Sequence, residues 1–285
     1  MVTKTLRWYA HAARDLPWRR PDASPWSIMV SEFMLQQTPV SRVLQPWAQW
    51  VDRWPTPSAL ADAPSGEAVR AWGRLGYPRR ALRLHQAATA IRDDHDGQVP
   101  DDYDALRTLP GVGDYTAAAV ASFAFGRRHI VLDTNVRRVQ TRIAFGVEFP
   151  HTSTTAAERQ LALDFLPSKA ERAARWAVAS MELGALVCTA RSPRCDDCPV
   201  RTDCAWHQAG RPAWDGPARV GQRYQGTDRQ CRGALLAVLR SNDAAVSDSE
   251  LLGSWPDRRQ AERARESLIE DGLMIMHVDG YTLPA

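Results

Sequence analysis

Four cysteines, Cys188, Cys195, Cys198 and Cys204, crowd into one short window with the spacing C-x6-C-x2-C-x5-C. A reducing compartment disfavours structural disulfides, so a cluster this tight reads as a metal site. All-thiolate sites take zinc or an iron–sulfur cluster. Four-cysteine zinc sites usually pair two C-x2-C knuckles across a longer gap. Here a single C-x2-C has unequal flanks, so the ligands must reach around something bulkier than one ion. The spacing therefore favours a [4Fe–4S] cluster, with zinc as the alternative. Arg191, Arg194 and Arg201 punctuate the loop and make either a basic surface suited to phosphates or a merely solvated one. The fifth cysteine, Cys231, stands apart and reads as a small buried residue near a helix start.

Two carboxylates could do acid–base work. Glu32 lies mid-helix in Ile28-Met29-Val30-Ser31-Glu32-Phe33-Met34-Leu35, with apolar residues on most sides. A carboxylate there is poorly solvated, which raises its proton affinity, as a general acid near neutral pH requires. A structural Glu bonded to a helix terminus is the plainer alternative. Asp133 precedes Thr134-Asn135-Val136-Arg137-Arg138-Val139 at a helix start, where an N-cap is the plainer reading.

The elements that must hold these residues are mostly helical. Ser24-Pro25, Thr38-Pro39 and Thr56-Pro57 each pair an N-cap residue with Pro at the first helical position. The helix opening at Pro39 is expected to put Val40, Val43, Leu44, Trp47, Val51 and Trp54 on one face. Its predecessor runs from Pro25 to about Gln37, placing Gln36 and Gln37 at a sharp junction. Another helix is expected over Arg79 to Asp94. Leu109-Pro110-Gly111-Val112-Gly113 precedes an all-apolar helix over residues 116–125, which reads as central and buried. Gly111 and Gly113 allow a tight turn whose N–H groups can hold a phosphate without reading sequence.

The chain has 285 residues, 44% of them hydrophobic and 24% charged, the balance of a soluble globular protein. No apolar run approaches a membrane span, so the reading is cytoplasmic with no membrane partner. A net charge of +3 is compatible with a polyanion but is weak evidence alone. Residues 1–207 read as one helical domain carrying the cluster loop at 188–204. Residues 208–226, rich in Gly, Pro and Arg, read as a linker. Residues 227–285 suggest three short helices over Arg229–Arg240, Asp248–Leu252 and Arg258–Asp271. A β-hairpin around Asp279-Gly280 follows, making a small α+β, winged-helix-like module. Arg258, Arg259, Arg263 and Arg265 face either phosphates or the acids interleaved with them.

The hairpin LPGVG, the block LDTNVRRV and the cysteine spacing together resemble the endonuclease III and MutY branches of the helix-hairpin-helix DNA glycosylases. The blocks VSEFMLQQTPV, RDLPWRR and RLGYPRRALRLH are similar to those of the MutY-type adenine glycosylases. The resemblance covers about residues 5–206. It implies a mainly α, two-lobed helix-hairpin-helix glycosylase with a [4Fe–4S] loop, acting as a monomer on double-stranded DNA that contains a mispair. It further implies that adenine opposite 8-oxoguanine or guanine is flipped out and excised. Glu32 then protonates the adenine and Asp133 stabilises the sugar cation. Tyr115 and Asn135 match positions that orient sugar and carboxylates. Gln37 matches a residue wedged into the stack, and Tyr77 the aromatic inserted beside the opposing base. Arg14, Trp18 and Arg19 match a segment lining the adenine pocket.

Strand-cutting relatives carry a lysine nucleophile just after the hairpin. Here Asp114-Tyr115-Thr116 follow Gly113, and the only lysines are Lys4 and Lys169. The expectation is a monofunctional enzyme. The residues after the linker are too few for the Nudix-like reader of 8-oxoguanine that such enzymes commonly carry. The alternatives are a glycosylase for thymine or hypoxanthine and a non-catalytic iron–sulfur regulator. The regulator has no use for Glu32 together with Asp133.

Overall fold

Helices dominate the computed structural model, which describes residues 1–217, 221 and 224–285. Of the expected linker, residues 218–220, 222 and 223 lie outside the described residues. The helices are α1 (Val2–Ala12), α2 (Pro25–Leu35), α3 (Val40–Arg53), α4 (Pro57–Ala61), α5 (Ser65–Trp72) and α6 (Arg79–Asp94). Then come α7 (Tyr103–Thr108), α8 (Asp114–Phe125), α9 (Thr134–Gln140), α10 (Ala156–Asp164), α11 (Ala170–Leu186) and α12 (Ala205–Gln208). The chain ends in α13 (Asp228–Ser241), α14 (Asp248–Gly253), α15 (Arg258–Glu270) and strands β1 (Ile275–His277) and β2 (Gly280–Thr282). None of the described helices is long and apolar enough to cross a membrane.

The chain folds as two compact units. One holds Met1–Ile28, Asp101–Thr108 and the described residues from Val112 to the end of the first segment. Its centre is α8, where residues 116–122 are all buried, as an all-apolar helix should be. Helix α11 packs on α1, α8 and α9. The approach of α9 is close: a Cβ on Gly184 would lie 2.7 Å from the Asn135 Cβ. Helix α9 runs on into a π-helical turn, Thr141–Phe145, that ends at Gly146 in the left-handed region.

The second unit holds Met29–Pro100, Leu109–Gly111 and the C-terminal segment. Trp50 packs edge-on against Trp54 at 4.7 Å and against Trp72 at 5.6 Å, all three buried. The α3 face differs from expectation. Val43, Trp47 and Trp50 are buried while Leu44 is exposed, because Trp50 and not Leu44 meets the tryptophan cluster. Thr56 caps α4 and Ser24 accepts from the Ser27 N–H, as expected. Thr38 does not cap α3; its hydroxyl donates to the Gln36 and Leu75 carbonyls, and Pro39 takes the cap position.

The C-terminal segment follows the helix–helix–helix–hairpin order, though the turn comes one residue early: His277 pairs with Gly280 around Val278-Asp279. Its arginines belong to salt-bridged faces. Arg258 pairs with Glu262 at 3.1 Å and Arg265 with Asp248 at 2.5 Å. The segment is tied to α5 by a reciprocal exchange. Arg70 donates to the Arg240 and Asn242 carbonyls at the end of α13, while Arg240 Nε donates to Val69 O at 3.0 Å. Helix C-termini leave carbonyls without intrahelical partners, and a guanidinium satisfies them while matching the helix dipole. The Gly66 N–H also donates to Pro284 O at 2.8 Å, an approach that any side chain at Gly66 would block.

Gly184→Ala should therefore destabilise the first unit by overpacking, at a cost of about 1–3 kcal/mol. A shifted urea midpoint with an unchanged m-value is the measurement that checks it.

Candidate active site and cluster loop

Asp133 is the N-cap of α9, and both of its oxygens are used. Oδ1 accepts the Val136 N–H at 2.6 Å, and Oδ2 accepts Nδ2 of Asn135 at 2.8 Å. Asn135 Oδ1 in turn accepts from Arg138 Nη2 at 2.8 Å. The same guanidinium donates to Gly184 O at 2.8 Å and to Cys188 O at 2.9 Å. Capping and chemistry are thus compatible here, because the cap bonds fix the direction of the carboxylate. Burial pushes the Asp133 carboxyl above its ordinary value, and the bonds from Val136 and Asn135 only partly offset that. Tyr115, half-buried, packs against a cluster of Ala118, Ala119, Val131 and Ala177.

The four window cysteines line one pocket with Val139, Ile143, Leu183, Val200 and Trp206. Burial, with the other three cysteines close by, pushes the Cys198 thiol up to about 11. Four thiolates so close together need a cation core. The donors suit thiolates: the Val200 N–H bonds to Cys198 and the His207 and Trp206 N–H groups to Cys204. Arg142, wholly buried, donates to Cys188 Sγ at 3.3 Å and to the Thr189 and Ala190 carbonyls, and stacks on Trp206 at 4.4 Å. The donor set fits a bulkier all-thiolate cluster better than one zinc. Of the loop arginines, Arg194 pairs with Asp197 at 3.7 Å and Arg201 with Asp196 at 2.8 Å. Both pairs are exposed and weak, so they leave the cations available to phosphates.

Arg14 and Arg19 converge on a carboxylate that sequence reasoning missed. Glu182, fully buried in α11, accepts from Arg14 Nε and Nη2 at 2.8 Å each and from Arg19 Nη2 at 2.9 Å. Burial alone would raise its pKa, but the two guanidiniums outweigh that and hold it at about 2. Trp18, between them in sequence, is buried. The missed signal is the one used for Glu32, an acid in the apolar run Ala179-Ser180-Met181-Glu182-Leu183.

In the second unit Glu32 is buried, 6% exposed, on a helix where Met29, Val30, Phe33 and Met34 are also buried. The C-terminal end of that helix is held by Arg80. Its Nη1 donates to the Phe33, Met34 and Gln36 carbonyls at 2.8, 3.1 and 2.6 Å. Its Nη2 donates to Thr38 Oγ1 at 3.0 Å and Gly76 O at 2.9 Å. Burial brings Arg80 down to about 10, still charged at neutral pH. One guanidinium thus holds the turn carrying Gln37 and the loop carrying Tyr77. Both residues are exposed and have left-handed backbone, φ +55° and +48°, unusual for side chains of this size. Nothing in the sequence set Arg80 apart from its neighbours in Pro78-Arg79-Arg80-Ala81-Leu82-Arg83. Gly111, at φ +80°, belongs to this unit, and a Cβ there would meet the Arg83 Cβ at 2.7 Å. Gly113 caps α8 with open space around it.

The candidate residues therefore divide. Asp133, Asn135, Tyr115, Arg14, Trp18, Arg19, Gly113 and the four cysteines lie in the first unit, and Glu32, Gln37, Tyr77 and Gly111 in the second.

Two family models match the chain: the HhH-GPD superfamily base excision DNA repair protein over residues 30–163, and the iron–sulfur binding domain of endonuclease III over residues 188–204. An adenine DNA glycosylase of Mycobacterium tuberculosis is 54% identical over 284 residues, 99% of this chain and 93% of that protein. The human adenine DNA glycosylase is 39% identical over 212 residues, 71% of this chain and 38% of its own length. A thermostable thymine-DNA glycosylase structure matches with a TM-score of 0.66 at 28% identity, covering 73% of this chain and 95% of that one. A non-covalent endonuclease III–DNA complex matches with a TM-score of 0.62 at 25% identity, covering 73% and 94%.

Two outcomes follow from the site. A raised carboxyl pKa means that ionised Asp133 costs stability at pH values above its unfolded pKa of about 3.9, a cost that disappears as the pH falls below that value. Asp133→Asn keeps the cap bond to Val136 and removes the cost of the buried charge, but sets an amide N–H against Asn135 Nδ2, so melting at neutral pH should fall only modestly while excision collapses. Equal activity in the Asn variant would reduce Asp133 to a cap. Purified protein should carry about four irons, the content of a [4Fe–4S] cluster, and Cys198→Ser should lose both iron and solubility. One stoichiometric zinc in the wild type would exclude the cluster.

Proposed function

The chain belongs to the MutY-type adenine DNA glycosylases, and from that premise we propose that it removes adenine paired with 8-oxoguanine or guanine, hydrolysing the N-glycosidic bond without cutting the strand. The observation that carries this reading is a pair of carboxyl groups held in unlike surroundings. Glu32 sits on an apolar helix, whereas Asp133 is tied into a hydrogen-bond network.

An adenine inside a duplex is out of reach, so it is flipped out, with Gln37 and Tyr77 filling the stack it leaves. Departure of the base needs a proton on the purine ring, which Glu32 supplies as general acid before assisting the attacking water. The sugar becomes oxocarbenium-like, and Asp133 is the anion that stabilises it or bonds to it transiently. Asn135 holds Oδ2 of that carboxylate in place at 2.8 Å, and Tyr115 orients the sugar. Arg14, Trp18 and Arg19 line the adenine pocket. Glu182 holds the two guanidiniums, so this segment acts as a rigid wall and its charges are already neutralised in part. Gly111 and Gly113 present backbone N–H groups to a phosphate.

No amine replaces water as the nucleophile. Asp114-Tyr115-Thr116 stand where a lyase has its lysine, and Lys4 and Lys169 are the only lysines of the chain. The iron–sulfur cluster, when bound, supplies a compact multi-centred cation that orders residues 188–204, and the acid–base steps belong to the carboxylates. The enzyme acts as a monomer in the cytoplasm, where free thiols persist to bind iron.

Glu32→Gln removes a proton donor at almost constant volume. Single-turnover excision of adenine should fall by roughly 10²–10⁴-fold while duplex binding stays near wild type. The same assay with thymine or hypoxanthine in place of adenine tests base choice. Near-normal turnover by the Gln variant, or faster release of thymine than adenine, would sink the assignment.

A further inference from the structure

Tyr77 has the form of a platform. Its phenol is 41% exposed and its backbone left-handed, directly after Gly76 at φ +84°. Two guanidiniums attend it. Arg80 lies 5.7 Å from the ring, with its Nη groups engaged by backbone carbonyls and the Thr38 hydroxyl. Arg229, an exposed residue from the first turn of α13, donates from Nη1 to the phenol oxygen at 3.3 Å. The Arg229 guanidinium also lies over the ring of Tyr224, 5.1 Å from its centre, and that ring is 52% exposed. Tyr77, Arg229 and Tyr224 thus form an exposed series of aromatic, cation and aromatic, with the last two supplied by the C-terminal segment.

Exposed aromatics interleaved with arginine suit nucleobases. A phenol face stacks on any base, and a guanidinium fork matches the O6 and N7 edge of guanine; in 8-oxoguanine, where N7 carries a hydrogen, the guanidinium keeps the shared O6 acceptor. A purely structural role would make Arg229 a pin between α13 and the Tyr77 loop. The segment is already pinned by the Arg70–Arg240 exchange, by Gly66 on Pro284 and by Arg79 on Asp271 at 3.2 Å. Those ties hold the segment whether or not Arg229 adds to them.

We propose that Arg229 is a specificity-determining residue that works beside Tyr77, contacts the base opposite the target adenine and selects guanine-type bases. This rests on Tyr77 being the aromatic inserted at that base. The C-terminal segment then takes part in reading the opposing strand through one side chain.

Wild type, Arg229→Gln, Arg229→Lys and Tyr77→Leu are compared by single-turnover excision and duplex affinity at fixed salt, with adenine opposite 8-oxoguanine, guanine or cytosine. Arg229→Gln should lower the preference for guanine over cytosine on the order of tenfold, as loss of a bidentate base contact does, and that for 8-oxoguanine by less, since only its O6 is left as an acceptor. Arg229→Lys keeps the charge without the fork, so the salt slope should hold while the preference falls. An equal loss on all three duplexes, with a salt slope shallower by about one, would make Arg229 a phosphate contact and overturn the proposal. Unchanged preference in both Arg229 variants would overturn it as well. Should the Gln variant fail to fold, the Lys variant alone decides the question. Tyr77→Leu reports separately: full excision in that variant ends the inserted-aromatic reading, whatever the Arg229 variants do.

Discussion

A guanidinium set against backbone carbonyls recurs at the irregular segments of this chain that carry the candidate site residues. Arg80 holds the turn after α2 together with the Gly76–Tyr77 loop. Arg138 joins Asn135 to the carbonyls of Gly184 and Cys188, and Arg142 threads the start of the cluster loop. Irregular buried backbone leaves carbonyls that neither helix nor water can satisfy, each costing about 1–3 kcal/mol if left unpaired. Arginine meets several at once because its donors spread in a plane and its charge survives burial. Lysine, a compact charge that is easily deprotonated in such places, cannot do so.

The two left-handed residues show which effect wins. Backbone strain of this kind costs roughly 1–3 kcal/mol at each position. Charge-assisted bonds contribute about 1.5–3 kcal/mol apiece, and Arg80 makes several of them to the same two segments. The strain is therefore sustainable at Gln37 and Tyr77, the two exposed side chains proposed to enter DNA. A single scaffold residue, Arg80, holds the segments that carry both.

How much of this was legible in the sequence follows from the kind of signal each feature leaves. Helix starts were readable at Ser24 and Thr56 because a cap and a proline act locally, within one turn. Thr38 has the same local signature, yet its hydroxyl serves Leu75, a partner far along the chain that no local pattern reveals. The α3 face was misjudged although the period alone sets Trp50 in line with Val43, Trp47 and Trp54, and its contacts with Trp54 and Trp72 fix it there. The cysteine window was legible because its ligands are close in sequence. Glu182 was legible in principle, through the same apolar context that marked Glu32. Arg80 was not, since the roles of adjacent arginines are divided by tertiary contacts alone.

The C-terminal segment shows the limit of reading a chain as domains in series. Composition suggests a module hung on a linker, but the contacts of the segment are with residues near 65–79 of the second unit. Tethering through helix ends and the terminal residues gives it a defined register on α5, and only a segment held in register can present one side chain to a chosen point. That is the condition under which Arg229 meets Tyr77 at 3.3 Å. A loosely tethered module could add affinity through diffuse charge, which phosphate contacts supply without regard to sequence. Discrimination between bases requires a donor fixed to within a few tenths of an ångström. The reciprocal Arg70–Arg240 exchange, remote from any proposed chemistry, supplies that fixity. It converts a short helical appendage into part of the surface that carries Tyr77.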